Sequence, residues 1–239
     1  MKKVLILVIS ADVHPYNEMI NTSLNTWDSI QVPNTETIYY CGRSGKPDTD
    51  KVIYLPVKDG LFQMGYKTIL ALEWALKHKD FDYIARVNSS CYVRKDLLLE
   101  HCQTLEDKEV FEGIITNSCY DILYAWGGAQ MIYSRDIAQK IVDNKYLWNH
   151  AIIEDVSISD LVSRLGYPLQ NTGNASAINK TPNGWSAFVY GKGENMEFTD
   201  FSELKKLDKQ YFYRVKQDGN RPLDKIIMEN LYRAFNNEL

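Results

Sequence analysis

The stretch that decides the fold runs from Asp82 to Leu98 and reads DYIARVNSSCYVRKDLL. Its left half, to Val87, is apolar and rich in β-branched and aromatic residues, as a buried strand requires. Its right half reads as the approach to a helix, with Asp96 as candidate N-cap. Between them stand three small polar residues, Asn88, Ser89 and Ser90. In an α/β protein a strand ends where ligands bind, outside the carboxyl edge of the sheet, so a polar tip there suggests recognition of a polar substrate. Asn and Ser also favour a strand-to-helix turn for purely local reasons. Composition leaves both readings open.

Toward the amino terminus the strand and helix signals alternate. Val4 to Ile9 is a six-residue apolar run. It is shorter than the roughly 7 to 15 residues of a secretory signal and the ~20 of a membrane span, so it is expected as a first buried strand. Met19, Ile20, Leu24 and Trp27 recur at helical spacing. Thr37 to Cys41 and Lys51 to Val57 read as strands, and Ile69, Leu72, Ala75 and Leu76 mark one face of a helix that precedes a strand over Phe81 to Val87. The order βαββαβ predicts a mostly parallel sheet covered on both faces.

Beyond Leu98 the sequence predicts a helix over 94–106, a strand over VFEGIITNS (110–118), and a Gly-rich turn, WGGAQ (126–130). An extended segment passing into a helix follows over 131–144, then a helix from Glu154 stopped by Gly166 and Pro168. From Asn171 to Asn195 the composition shifts to Asn, Gly, Ser and Thr, which predicts a mobile loop. A last helix opens near Pro222 with Ile226, Ile227, Leu231 and Phe235 as its apolar stripe.

Composition excludes several classes. A chain of 239 residues with 45% hydrophobic and 24% charged residues buries a sizeable core. A net charge of -4 and the lack of any basic run argue against nucleic acid. Cys41, Cys91, Cys102 and Cys119 show no CxxC spacing, so buried reduced thiols are expected. Four N-x-S/T sequons, at Asn21, Asn88, Asn174 and Asn179, carry little weight without a targeting segment. No GxGxxG opens a helix, and GLFQMGYKT (60–68) misses a P-loop because Tyr66 separates Gly65 from Lys67.

Three loops at strand ends are candidate ligand contacts: SADVHPYN after Ile9, with Ser10, Ala11 and His14; the triplet after Val87; and the turn around Gly127. A single His at a strand end, such as His14, is more often a structural hydrogen-bonder than a catalyst. Gly127 and Gly128 either make a turn at positive φ or let backbone approach a bound sugar beside the flat face of Trp126.

The segment DYIARVNSSCYV resembles the strand and turn of GT-A glycosyltransferases, in particular the fringe and β-1,3-galactosyltransferase group, whose strand ends in three acidic residues. Other pieces follow in the same order over residues 4 to 166: VLILVIS with NTSLNTW, Lys67 in YKTILALEWAL, AWGGAQMIYSRDIAQKI and IIEDVSISDLVSRLG. In that group the acids hold a divalent metal against the nucleotide diphosphate. Here Asn88, Ser89 and Ser90 take their place without a carboxylate, and a hard cation such as Mg²⁺ or Mn²⁺ is held mainly by anionic oxygens. The resemblance therefore implies either a metal-free enzyme or a protein that transfers no sugar.

What the resemblance implies is an α/β, GT-A-like single domain over 1–239, with a mixed, mostly parallel central sheet flanked by helices. Residues 1–100 form a nucleotide-binding half, and 101–239 an acceptor-binding half with the loop 171–195 and the C-terminal helix. The implied activity moves a sugar from a nucleotide-sugar, a UDP-sugar by analogy, to a hydroxyl on a carbohydrate or glycan acceptor, with inversion. Departures from the group, the missing acids and the lack of an anchor segment, lead to the expectation of an enzyme without a metal cofactor in the cytoplasm. Asp155, with Glu154 beside it, is the candidate base. Acids in a first helical turn also suit the helix dipole without any catalytic role. Ser10, Ala11, His14, Lys67, Arg86, Asn88, Ser89 and Ser90 are expected at the donor, and Trp126, Gly127 and Gly128 at the acceptor. Without metal, the leaving diphosphate needs cations, for which Arg86, Lys192, Lys216 and Arg221 are candidates. The alternative is a catalytically silent nucleotide- or sugar-binding protein on the same scaffold.

Overall fold

The computed structural model describes residues 1–207 and 210–236; the rest of the expected span 1–239 lies outside the described residues. The apolar run Val4–Ile9 is a strand, β1, buried along its whole length. Its alternate side chains feed two cores. Val4, Ile6 and Val8 join one apolar cluster, and Leu5, Leu7 and Ile9 the other. That is the mark of a central strand covered on both faces.

The chain continues through α1 (Tyr16–Asn25), β2 (Thr35–Cys41), β3 (Val52–Tyr54), α2 (Met64–His78) and β4 (Tyr83–Asn88), the βαββαβ order expected. It then runs through β5 (Cys91–Val93), α3 (Lys95–Thr104), β6 (Phe111–Gly113), β7 (Ile115–Asn117), β8 (Leu123–Ala125), β9 (Gln130–Ser134), α4 (Arg135–Asp143) and α5 (Glu154–Arg164). The last third holds β10 (Gln170–Asn171), β11 (Ala175–Thr181), β12 (Gly184–Val189), β13 (Glu194–Phe198), β14 (Phe212–Arg214) and α6 (Pro222–Phe235).

The main sheet has seven strands in the order β10-β6-β9-β4-β1-β2-β3. Only β9 runs antiparallel to its neighbours, so the central sheet is mixed and mostly parallel, flanked by helices. Helices α2, α4 and α5 cover one face through Ile69, Leu72, Ile137, Ile141, Ile158 and Leu161. The other face packs on α1, α6 and a second sheet, ordered β13-β12-β11-β14-β5. Among the described residues no helix is long and apolar enough to cross a membrane.

Several expectations are corrected. The stretch 171–195 is largely strand. Ile178 and Ala187 are buried partners in register while their neighbours face outward, and the Pro182-Asn183 turn before Gly184 closes β11 on β12 as a two-residue hairpin loop. The predicted strand 110–118 breaks at Ile114 into β6 and β7, which belong to different sheets. Arg94, not Asp96, occupies the N-cap of α3; Asp96 sits in its first turn, where a negative charge suits the dipole. Ile226 is exposed, so the stripe of α6 is Ile227, Met228, Leu231 and Ala234, with Phe235 packed at its border. Cys119 is exposed in the turn between β7 and β8, while the other three cysteines are buried.

Candidate active site

The polar triplet is a corner between two sheets. β4 ends at Asn88 in the main sheet, and β5 begins at Cys91 in the second. Ser89 N extends the main ladder by donating to Ile9 O at 3.1 Å, while Ser90 O accepts from Val215 N at 3.0 Å, just beyond β14. Local turn chemistry is thus satisfied, and the corner still lies at the carboxyl ends of β1 and β4, where ligands of α/β sheets collect.

Gly127 joins this corner to the head of α5. Asn88 Nδ2 donates to Gly127 O at 2.8 Å, and Gly127 N donates to Asp155 Oδ2 at 3.1 Å. Neither Gly127 nor Gly128 has positive φ, and the space beside Gly127 is not open to a sugar. A Cβ there would lie 2.9 Å from both Arg86 Nη1 and Asp155 Cβ, so the protein's own side chains demand the glycine. At Gly128 a Cβ would meet the Trp126 ring at 2.2 Å.

Arg86 and Glu154 are not where a ligand could reach them. Both side chains are 1% exposed and form an ion pair inside the α2 and α5 face of the sheet. Arg86 Nη1 also donates to Gly127 O at 2.8 Å, and Thr68 Oγ1 donates to Glu154 Oε1 at 2.9 Å. Burial pushes the Glu154 carboxyl up against the pull of Arg86, and burial, again against the pull of Arg86, raises the Tyr40 phenol to about 12. Arg86 is therefore removed from the diphosphate candidates and Glu154 from the bases; the pair holds the Gly127 turn from beneath. Asp155, half-buried in the first turn of α5, is the member of the Glu154 and Asp155 pair left at the carboxyl edge of the sheet.

Lys67 is likewise a support. Its ammonium bonds Ser10 O and Asp59 Oδ1, each at 2.6 Å, and Gly42 N donates to the same Asp59 oxygen at 2.9 Å. These bonds tie the ends of β1 and β2 to the segment before α2. Ser10 and Ala11 are buried at that edge, with Ser10 Oγ donating to Tyr16 O at 3.4 Å. His14 stands exposed, its Nδ1 2.6 Å from Glu18 Oε1, which fits the structural reading.

Two arginines meet the corner from the second half of the chain. Arg221 Nη2 donates to Ser90 Oγ at 2.7 Å and pairs through Nε with the buried Asp224 at 2.7 Å. Arg214 Nη1 donates to Gly128 O at 2.6 Å, with its guanidinium 5.9 Å from the centre of the Trp126 ring. Lys216, two residues on, pairs with Asp218 at 2.6 Å. Lys192 is exposed on the turn between β12 and β13. The sequence reading missed Arg214. Its signal was the alternation in FYRVK, which puts Arg214 and Lys216 on one face of a strand whose Phe212 and Tyr213 are buried.

A divalent cation does not suit this corner. Ser90 Oγ already faces a guanidinium, Asn88 Oδ1 lies 3.4 Å from Arg86 Nη1, and all three triplet side chains are neutral. Among the described residues no group of three or more His, Cys, Asp or Glu side chains could hold a metal ion.

No family model matches the chain, and no curated protein matches it. Among solved structures it is similar to a mannosyltransferase from Pyrobaculum calidifontis in complex with GDP-Man and Mn2+, at 12% identity and a TM-score of 0.47, covering 72% of this chain and 55% of that one. It is also similar to 4-diphosphocytidyl-2C-methyl-D-erythritol synthase from Anaerococcus prevotii, at 14% identity and a TM-score of 0.44, covering 72% and 86%. The chain thus spans about half the length of that mannosyltransferase.

Proposed function

We propose that this protein is a nucleotide-sugar glycosyltransferase that works without a divalent metal, taking a UDP-sugar as donor and inverting the anomeric centre. The observation that carries the reading is the meeting of three parts at one corner: the neutral triplet, two arginines and Asp155, with Asn88 and Asp155 bonded to the same glycine. In place of the divalent metal of the resembled group, the corner offers guanidinium, a permanent cation whose fork matches phosphate oxygens.

Ser89 and Ser90 are buried and shape the corner from behind, so in this reading the diphosphate lies against Asn88, the half-buried member of the triplet, facing Arg221, Arg214 and Lys216. Asp155 accepts the proton of an acceptor hydroxyl as that oxygen attacks the anomeric carbon. The bond from that carbon to the phosphate oxygen breaks, its electron pair leaves with the nucleoside diphosphate, and the cations stabilise the added charge. Residues 1–100 supply most of the donor edge, but Arg214 and Arg221 come from the half expected to hold the acceptor.

Incubation with a panel of UDP- and GDP-sugars, with and without EDTA, tests the reading. Hydrolysis or transfer that EDTA leaves unchanged, and that Asp155→Asn lowers by about 10² or more, supports it. Nucleotide binding with no turnover of any donor would instead favour a silent binding protein, the reading that the missing acids also allow.

A further inference from the structure

Beside the Gly127 turn lies a cavity of about 500 Å³ that none of the site residues above explains, apart from Trp126 on its wall. Its volume falls within the roughly 300 to 1,000 Å³ of small-molecule sites. Tyr124, Trp126, Phe188 and Tyr190 supply aromatic faces, and Asn171 and Thr172 supply polar groups. No charged side chain lines it.

We propose that this cavity binds a neutral saccharide through stacking on its aromatic walls, and that it is the acceptor subsite. The second half of that statement rests on the glycosyltransferase reading; the first does not. The chemistry follows from the lining. A sugar ring has an apolar C–H face that covers an aromatic face, and hydroxyls that need donors and acceptors at the ring edge. Asn171 Oδ1 accepts from Ile115 N at 3.0 Å, which fixes the side chain and leaves its amide N–H groups to point elsewhere. The phenolic hydroxyls of Tyr124 and Tyr190 make no hydrogen bond among the described residues, so both can bond a ligand hydroxyl. A purely apolar ligand would leave these groups unpaired on desolvation. A phosphorylated ligand would find no cation in the lining.

The walls are also set in advance. The Tyr190 ring packs against Trp126 at 5.3 Å and edge-on to Phe188 at 5.0 Å, so little side-chain freedom is lost when a ring docks. Placement ties the cavity to the chemistry. Trp126 immediately precedes the glycine bonded to Asp155, and Ala125 N donates to Ser159 Oγ at 3.0 Å, one turn along α5 from Asp155. The same short segment therefore holds both the cavity wall and the candidate base.

The test uses the full chain. Methyl glycosides of glucose, galactose, mannose and N-acetylglucosamine, together with lactose and cellobiose, are titrated by calorimetry and saturation-transfer NMR, and UDP and GDP are titrated in parallel. The expected result is that at least one saccharide binds through its ring C–H protons. Phe188→Ala should weaken it by about tenfold or more, with UDP affinity within about twofold of wild type. Asn171→Ala, at an exposed position, should also weaken saccharide binding and serves if Phe188→Ala fails to fold. If no saccharide binds while UDP does, the cavity proposal is overturned and the nucleotide-sugar reading stands. Loss of UDP affinity in Phe188→Ala with unchanged saccharide binding likewise overturns it. Saccharide binding without UDP or GDP binding would uphold the cavity and overturn the glycosyltransferase reading.

Discussion

Asn88 and Asp155 hold the two ends of one residue: the Asn88 amide donates to the carbonyl of Gly127, and the N–H of Gly127 donates to the Asp155 carboxylate. A strand tip in the first half of the chain is thereby set in fixed register with the head of α5. Both partners act on backbone atoms, and the side chains of Arg86 and Asp155 fill the place a Cβ at position 127 would take.

Gly127→Ala is the direct probe of that link. The added Cβ would sit 2.9 Å from Asp155 Cβ and 2.9 Å from Nη1 of Arg86, a buried guanidinium held by Glu154. Overpacking of this kind costs about 1 to 3 kcal/mol. Urea denaturation should show a loss in that range, and any transfer activity should fall at least as steeply because Asp155 is displaced. Unchanged stability and activity together would contradict the described packing.

The buried ion pair between Arg86 and Glu154 makes a second prediction. Glu154→Gln leaves a guanidinium that is 1% exposed without its counter-charge, a change that typically costs about 3 to 5 kcal/mol. Exchanging both partners for apolar residues, Arg86→Met with Glu154→Leu, removes both desolvation costs. The double variant is expected to denature closer to wild type than Glu154→Gln does, and a double-mutant cycle reads the coupling.

A pH dependence of stability follows from His150. Its ring stacks on Tyr66 at 3.5 Å, and burial lowers its pKa below the usual 6.5. Because the folded state binds the proton less tightly than the unfolded chain, the contribution is fully present above about pH 6.5 and is lost as pH falls through the lowered value. His150→Phe keeps the stack and removes the titration, so the wild-type minus variant stability should decline on acidification below about pH 6.5. A difference independent of pH from 7.5 to 5 would contradict this.

Arg221 bears on the nucleotide. Arg221→Lys keeps a charge but loses the two-pronged geometry shared between Ser90 and Asp224, while Arg221→Ala also leaves the buried Asp224 unpaired. UDP affinity should fall modestly in the lysine variant and by about tenfold or more in the alanine variant. Arg221→Ala combined with Asp224→Asn should recover stability without recovering affinity, which separates the two roles.

The main sheet was legible because its strands are apolar on both faces and its helices repeat at 3.6-residue spacing, as in Val4–Ile9 and the Ile69 to Leu76 face. The second sheet was not. Its strands are short or half-exposed, and Asn179 and Lys180 are exposed on β11, so the composition resembled a loop despite the Pro-Asn-Gly turn signal at 182–184. In the site, the triplet and Asp155 were singled out from strand-end and helix-start positions, and the structure brings Asn88 and Asp155 onto one glycine. The burial of Arg86 and Glu154 was invisible, because nothing in one sequence tells a charged residue that it has a partner sixty-eight positions away. Arg214 was hidden for the same reason: β14 reaches the corner through long-range partners, its antiparallel pairing with β5 and the bond from Val215 N to Ser90 O.

The central claim is that guanidinium groups, and no divalent ion, face the diphosphate at the Asn88 to Ser90 corner. Diffraction from crystals grown with UDP and Mn2+, with anomalous data for manganese, tests it most directly. The account predicts phosphate density within hydrogen-bond reach of Asn88 and Arg221 and no manganese peak beside it. A manganese peak bridging the phosphates and the triplet, or UDP bound away from this corner, would contradict it.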